Sequence, residues 1–190
     1  MSMERYDPLP VHSREEFRQW LSEHSGTEAE CWVHVVKGEP SDEEHLWYLD
    51  AVEEALCFGW IDSTFLGSEK LQRFSPRQKY SPWTELNKER VRRLEKLGRM
   101  TDAGRAVLPP MGPRSFRVDD DLKEALIRAR AWSAFRRFPP LYQRVRAYNV
   151  AFLKKRDPEG YEKALERLIR ETKAGRMYGS WNDYGRLLDY

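Results

Sequence analysis

The spacing of apolar residues near the amino terminus predicts a helix followed by a buried strand. Ser13 and Glu16 form an S-x-x-E capping box, and Phe17 and Leu21 follow at helical spacing. Residues 31–36 are then almost entirely β-branched, aromatic or otherwise apolar, and this run stops at a glycine and a proline. Such a composition is typical of a short strand inside a core.

A second S-x-x-E pattern predicts another helix. Ser41 and Glu44 supply the capping residues, and Leu49 and Leu56 lie on the apolar face that follows. Gly59 is expected to end this helix.

The alternation of residues 60–66, the turn signal at 67–68 and a return strand at 70–74 predict a β-hairpin. A two-residue loop places Asp62 opposite Arg73, Thr64 opposite Leu71 and Trp60 opposite Ser75. A three-residue loop shifts the register by one and removes the pairing of Asp62 with Arg73.

Prolines mark the next boundaries. Ser81 as N-cap and Pro82 at the first helical position predict a helix that ends at Gly98, and Thr101 caps a short helix through Leu108. The segment 109–113, with three prolines, is the strongest break in the chain and separates a mixed first part from a helical second part.

Four segments of the second part carry helical signals, and an apolar tail follows them. Asp119 caps the first of these helices and Asp157 precedes the last, while residues 181–190 hold too many apolar side chains for a free tail and are expected to dock. The helical segments are 119–129, 132–138, 141–152 and 157–175.

These elements predict an α+β fold: a small antiparallel sheet with a β-hairpin, packed by helices and followed by a mostly α-helical carboxy-terminal part. The expected domains are residues 1–108 and 114–190, with the second packed on the first.

Charge is distributed unevenly along the chain, although the net charge is only +2. Residues 1–70 hold 5 basic and 16 acidic side chains, residues 71–105 hold 10 and 4, and residues 106–190 hold 18 and 11. A basic face could attract nucleic acid or anionic lipid. Alternatively, acidic and basic segments meet within the fold or lie on solvated faces, and this is the interpretation we favour.

The sequence does not indicate a membrane-spanning, secreted or disulfide-rich protein. No apolar run is long enough to span a membrane, the start lacks the features of a secretory signal, and two cysteines are too few for a disulfide scaffold. We therefore expect a cytoplasmic protein. Four histidines without ligand spacing, and no phosphate-binding loop, predict neither a metal nor a cofactor.

No catalytic residue is predicted. Cys57 is the best nucleophile, but it lies at a predicted helix carboxy terminus, where the dipole opposes thiolate formation. Asp62 could act as a base, but a neighbouring Arg73 would lower its pKa and weaken it.

Unusual side chains concentrate between residues 57 and 87. Two arginines near a helix amino terminus favour an anion, and indole rings and a buried amide add binding surface. The alternative is structural: a cross-strand ion pair, core tryptophans and an amide that fixes a loop. The candidate binding residues are Trp60, Asp62, Arg73, Ser75, Arg77, Ser81, Trp83 and Asn87.

The same region resembles a known family. The segment 55–62 reads ALCFGWID, 72–77 reads QRFSPR, and both are similar to motifs of the YdeI/OmpD-associated, bacteriocin-protection (OmdA-type) family. Residues 81–94 and 98–104 resemble its next two motifs, so the match covers about 13–108. Residues 122–139 are similar to its helical carboxy-terminal module, but the AK..ETR.KR signature is absent near 152–157.

This resemblance implies a small bacterial protein without accepted catalytic residues, linked by name to envelope stress and to protection from cationic peptides. Our leading hypothesis is a non-enzymatic protein of stress response or antimicrobial-peptide resistance that binds a small anionic ligand or a protein partner. One alternative is nucleic-acid binding through the basic segments 73–105 and 136–156. Another is an enzyme that acts on a small anionic substrate.

Overall fold

The computed structural model describes residues 6–190, in which the chain forms two compact units. The first unit runs to Pro82 and takes in Arg90–Pro109 and Tyr190, whereas the second comprises Trp83–Glu89 and Pro110–Asp189. Residues 1–5, part of the segment from which no secretory signal is predicted, lie outside the described residues.

All three strands of the described residues lie in the first half of the chain, together with helices, and the elements of the second half are helical. In chain order the elements are α1 (Arg14–His24), β1 (Cys31–His34), α2 (Tyr48–Cys57), β2 (Trp60–Leu66), β3 (Leu71–Pro76), α3 (Glu85–Lys96), α4 (Asp102–Ala106), a 3₁₀ turn (Pro113–Ser115), α5 (Asp120–Arg128), α6 (Trp132–Phe135), α7 (Pro140–Leu153) and α8 (Pro158–Lys173).

The first unit contains a three-stranded antiparallel sheet in the order β1-β3-β2. Phe17 of α1 and Phe74 of β3 are fully buried, and their ring centroids lie 5.4 Å apart. Because α1 covers this face of the sheet, the apolar stripe of the helix and the alternate residues of β3 form one core. The predicted α+β fold, with a hairpin and a helical carboxy-terminal part, is confirmed.

The predicted register of the hairpin is wrong, by two residues next to the turn and by one residue at Asp62. Leu66 faces Leu71, so the turn holds residues 67–70, and an irregularity between Asp62 and Phe65 leaves Asp62 opposite Phe74. Because neighbouring side chains of a strand point to opposite faces, this shift places Asp62 and Arg73 on different faces of the sheet. The pairs of Thr64 with Leu71 and of Trp60 with Ser75 are absent for the same reason.

Two predicted helix starts are also wrong. Residues 41–46 are not helical, because Asp42 Oδ1 instead accepts the backbone N–H groups of Glu44 and His45 in a local turn, and α2 begins only at Tyr48. At the second site α3 begins at Glu85 rather than after Ser81.

Other caps form as the local sequence predicts. Ser13 and Glu16 make the reciprocal capping box of α1, and Thr101, Asp119 and Asp157 each accept a backbone N–H at the start of α4, α5 and α8. These four helix starts are confirmed.

The second unit has its own core. Leu122, Leu126, Phe135, Tyr142 and Leu168 are fully buried within it. The predicted docking of the tail is confirmed within this unit, where Leu187 is 3% exposed and packs with residues 141 and 145 of α7. Within residues 6–190, no helix has the length and apolar character needed to cross a membrane.

Candidate functional site

The two residues at the centre of the predicted site have separate partners. Asp62 Oδ2 accepts a hydrogen bond of 2.7 Å from the hydroxyl of Tyr48 in α2. Arg73 donates to the carboxylate of Glu30 from Nε at 2.9 Å and from Nη2 at 2.5 Å, and from Nη1 to Ser63 Oγ at 3.2 Å. The predicted Asp62–Arg73 ion pair is therefore replaced by two contacts on opposite faces of the sheet.

Trp60 belongs to the core rather than to an open surface. Its side chain is 1% exposed, its indole N–H donates to the carbonyl of Ser25 at 3.2 Å, and its ring meets that of Trp20 edge to face at 5.8 Å. Ser75 is half-buried opposite Ile61 in the hairpin. Trp60 thus anchors the sheet to α1, as the structural alternative predicts.

Arg77 and Ser81 organise the connection after β3. Arg77 is 8% exposed, donates from Nη1 to the carbonyl of Pro82 at 3.1 Å, and its backbone N–H bonds the carbonyl of Gly59 at 2.9 Å. Ser81 Oγ accepts the backbone N–H of Gln78 at 3.0 Å, so it closes a turn instead of capping a helix. The predicted anion site needed a helix that begins at Ser81, and no helix begins there.

Trp83 and Asn87 belong to the second unit, whereas the other six candidate residues belong to the first. Trp83 is half-buried, and Asn87 is 8% exposed, which agrees with the predicted burial of its amide. The backbone N–H of Asn87 donates to Thr84 Oγ1 at 3.1 Å. Thr84 is therefore the residue that caps α3.

Helix α2 carries a buried acidic cluster that the sequence reasoning missed. Glu53 and Glu54 are fully buried, and Asp50 is 6% exposed. Arg14 of α1 reaches all three carboxylates, at 2.9 Å from Asp50, 2.9 Å from Glu53 and 2.6 Å from Glu54. The available signal was two adjacent glutamates between apolar residues of a short helix, since such carboxylates are buried only when they are paired.

Three more arginines complete this cluster. Arg18 lies 2.6 Å and Arg99 2.7 Å from Glu54, and Arg93 lies 2.8 Å from Glu53. Burial of Glu54 acts to raise its pKa, but the charge of Arg14 and hydrogen bonds from Arg18 and Arg99 outweigh burial and hold that pKa below its usual value. For these residues, the interpretation that acidic and basic segments meet within the fold is confirmed.

A cleft of about 450 Å³ opens elsewhere on the first unit, between the segment before α1, the end of α1 and strand β1. Leu9 donates its backbone N–H to the carbonyl of Trp32 at 2.8 Å, which holds the amino-terminal segment beside β1. The residues that line the cleft are Tyr6, Asp7, Leu9, Trp20, His24, Glu28, Glu30, Cys31 and Trp32.

Aromatic rings form much of this lining. The rings of Tyr6 and Trp32 lie 4.4 Å apart at 49°, and the rings of Trp20 and His24 stack at 5.0 Å. His24 is held in place by a contact of 3.0 Å between Nδ1 and the carbonyl of Trp20. The sequence contained these residues, but only the docking of the amino-terminal segment against β1 brings them together.

Carboxylates supply the charge of the cleft. Asp7, Glu28 and Glu30 line it, and no lysine or arginine does so among the residues that the structure describes. Glu30 accepts hydrogen bonds from Arg73 and from the indole N–H of Trp32, and these lower its pKa. Glu30 is therefore held in its ionised form, with Arg73 as its partner.

Neither thiol of the chain is placed for nucleophilic chemistry. Cys31 at the cleft and Cys57 in α2 are both buried, and burial, aided by Glu30 and Glu54 respectively, raises the pKa of each thiol to about 12. A thiol in this state is not ionised at neutral pH. Within residues 6–190, no cluster of three or more histidine, cysteine or acidic side chains could hold a metal ion.

Comparison with known proteins gives one match. The model of DUF8412, a domain of unknown function, matches residues 9–107, which include most of the cleft lining and the whole sheet. No curated protein and no solved structure matches the chain. Because the match covers more than half of its length, the chain belongs to the DUF8412 family.

Proposed function

We propose that this chain is a non-enzymatic binding protein and that the cleft beside β1 holds its ligand. The observation that carries the proposal is the aromatic lining of a concave site, with Tyr6, Trp20 and Trp32 at one opening of about 450 Å³. Sites of this size and character are typical of small-molecule recognition, since rings offer large contact area at little entropic cost.

The side chains near the cleft favour binding over reaction. Burial raises the pKa of the Cys31 thiol to about 12, so the thiol is not ionised and does not attack a bound molecule at neutral pH. Asp62 and Cys57, which the sequence offered as a base and a nucleophile, are not part of the cleft lining, and Asp62 accepts a hydrogen bond from Tyr48. Retention of a ligand is therefore the activity that this site supports best.

The wider role that we propose is in stress response or antimicrobial-peptide resistance, in the cytoplasm. The support is the resemblance of residues 55–62 and 72–77 to motifs of the YdeI/OmpD-associated family. Two unpaired thiols favour a reducing compartment.

A fragment screen on the full chain tests the binding function. Cationic, anionic, neutral and aromatic fragments are each examined by saturation-transfer NMR, with Tyr6→Ala as the cleft variant. Tyr80→Ala is the matched control, because its ring is 87% exposed and lies outside the cleft lining. We expect fragments whose signal is lost in the first variant and kept in the second. A screen in which no fragment distinguishes the two variants removes the cleft as a binding site.

A further inference from the structure

The rings of the cleft offer a surface that attracts positive charge. The face of an aromatic ring is electron-rich, and indole is the strongest of the natural side chains in this respect. Two indoles and a phenol line the same cleft, from Trp20, Trp32 and Tyr6. A cation that enters the cleft therefore meets walls formed in part by these rings.

Two carboxylates of the cleft form no ion pair with a basic side chain among the described residues. Arg73 engages Glu30, but within residues 6–190 no ion pair joins Asp7 or Glu28 to a lysine, arginine or histidine. The buried acids of α2 behave differently, because four arginines surround them. Among the described residues that line the cleft there is no lysine or arginine.

We infer that the ligand of the cleft is a small organic cation, either a protonated amine or a quaternary ammonium ion. This inference rests on the proposed binding function and adds the chemical class of the ligand. An anion would meet the carboxylates of Asp7 and Glu28, and no lysine or arginine among the described lining residues would compensate for them. The aromatic walls favour an organic cation over a hydrated metal ion, since alkylated ammonium sheds water readily and contacts rings directly.

The test compares choline with 3,3-dimethylbutan-1-ol, a neutral molecule of the same shape, by titration calorimetry on the full chain in low-salt buffer. Choline is expected to bind more tightly by about 2- to 30-fold, the range of a cation–ring interaction. Glu28→Gln should lower the affinity for choline several-fold. Glu43→Gln makes the same change in charge at an exposed position outside the cleft and should leave the affinity unchanged.

The outcomes separate the ligand class from the binding function. Equal affinities for choline and the alcohol overturn the inference, and so does an unaltered affinity for choline in Glu28→Gln. A third outcome is that neither choline nor the alcohol binds, that acetate or phosphate does bind, and that Tyr6→Ala abolishes this binding. The cation inference then fails, and the binding function stands. If Tyr6→Ala changes the binding of no probe, both fail.

Discussion

Replacing Glu54 by glutamine perturbs the buried charge cluster at its centre. The side chain is fully buried and lies 2.6 Å from Arg14, 2.6 Å from Arg18 and 2.7 Å from Arg99. Glutamine keeps the shape of glutamate but removes the charge. It also turns one acceptor oxygen into an NH₂ donor that faces guanidinium donors.

The loss of unfolding free energy comes from the arginines that lose this charged partner. Removal of one partner from a buried ion pair costs about 3 to 5 kcal/mol, because the remaining charge stays desolvated. Here the arginine side chains at positions 14, 18 and 99 are 18%, 31% and 31% exposed, so part of each guanidinium can turn to water. We therefore expect the low end, about 3 kcal/mol, a large part of the roughly 5 to 15 kcal/mol that stabilises a typical domain.

The effect depends on pH in a defined direction. The pKa of Glu54 is lowered in the folded protein, because its arginine contacts outweigh the opposing effect of burial. A group of this kind stabilises the fold fully above its unfolded pKa of about 4.3 and loses that contribution as pH falls through the folded pKa. The difference in unfolding free energy between the wild type and Glu54→Gln should be constant near pH 7 and shrink below about pH 4.

Urea denaturation, followed by tryptophan fluorescence and circular dichroism, measures the loss of unfolding free energy in Glu54→Gln and its dependence on pH. Glu95→Gln is the matched control, because Glu95 pairs with Arg105 at 2.8 Å while both side chains are exposed to water. Water and salt screen an exposed ion pair, so Glu95→Gln should lower the free energy of unfolding much less than Glu54→Gln does. Equal destabilisation by the two variants would refute the claim that the cluster around Glu54 supports the fold.

Two further predictions concern packing and the thiols. A Cβ at Gly104 would collide with the backbone carbonyl of Cys57, so Gly104→Ala should destabilise the fold by about 1 to 3 kcal/mol, as measured by thermal unfolding. A Cβ at Gly26 meets open space, so Gly26→Ala should leave the stability unchanged. Because burial raises the pKa of Cys31 and Cys57 to about 12, an aromatic disulfide reagent at pH 8 should label neither thiol until denaturant is added. Rapid labelling of the folded protein would contradict that placement.

Local signals in the sequence were reliable where the interaction is itself local. Ser13 caps α1 and Asp119 caps α5 as predicted, because a cap joins atoms only two or three residues apart. The same kind of signal failed at Ser41 and Ser81, where a nearby turn uses the polar side chains or backbone groups that a helix start would have used. A capping pattern therefore shows that a helix can begin at a segment, but the contacts of the neighbouring residues determine whether it does.

The hairpin shows how one local uncertainty changes a site. The two strands were recognisable from their alternation, but the number of residues in the turn was not. A turn of four residues and an irregularity after Asp62 moved that carboxylate to the face that α2 covers, beside Tyr48. The predicted pairing with Arg73 was lost because the side-chain period of a strand is two, and a shift of one residue reverses it.

By itself the sequence determined the class of fold, the order of most elements and the uneven distribution of charge, all of which follow from interactions between near neighbours or from composition. Only the tertiary structure decided that Glu53 and Glu54 meet arginines from positions 14 to 99, and that residues 6–9 close an aromatic cleft against β1. The physical reason is that these contacts join residues far apart in the chain, and their geometry exists only after the segments have packed.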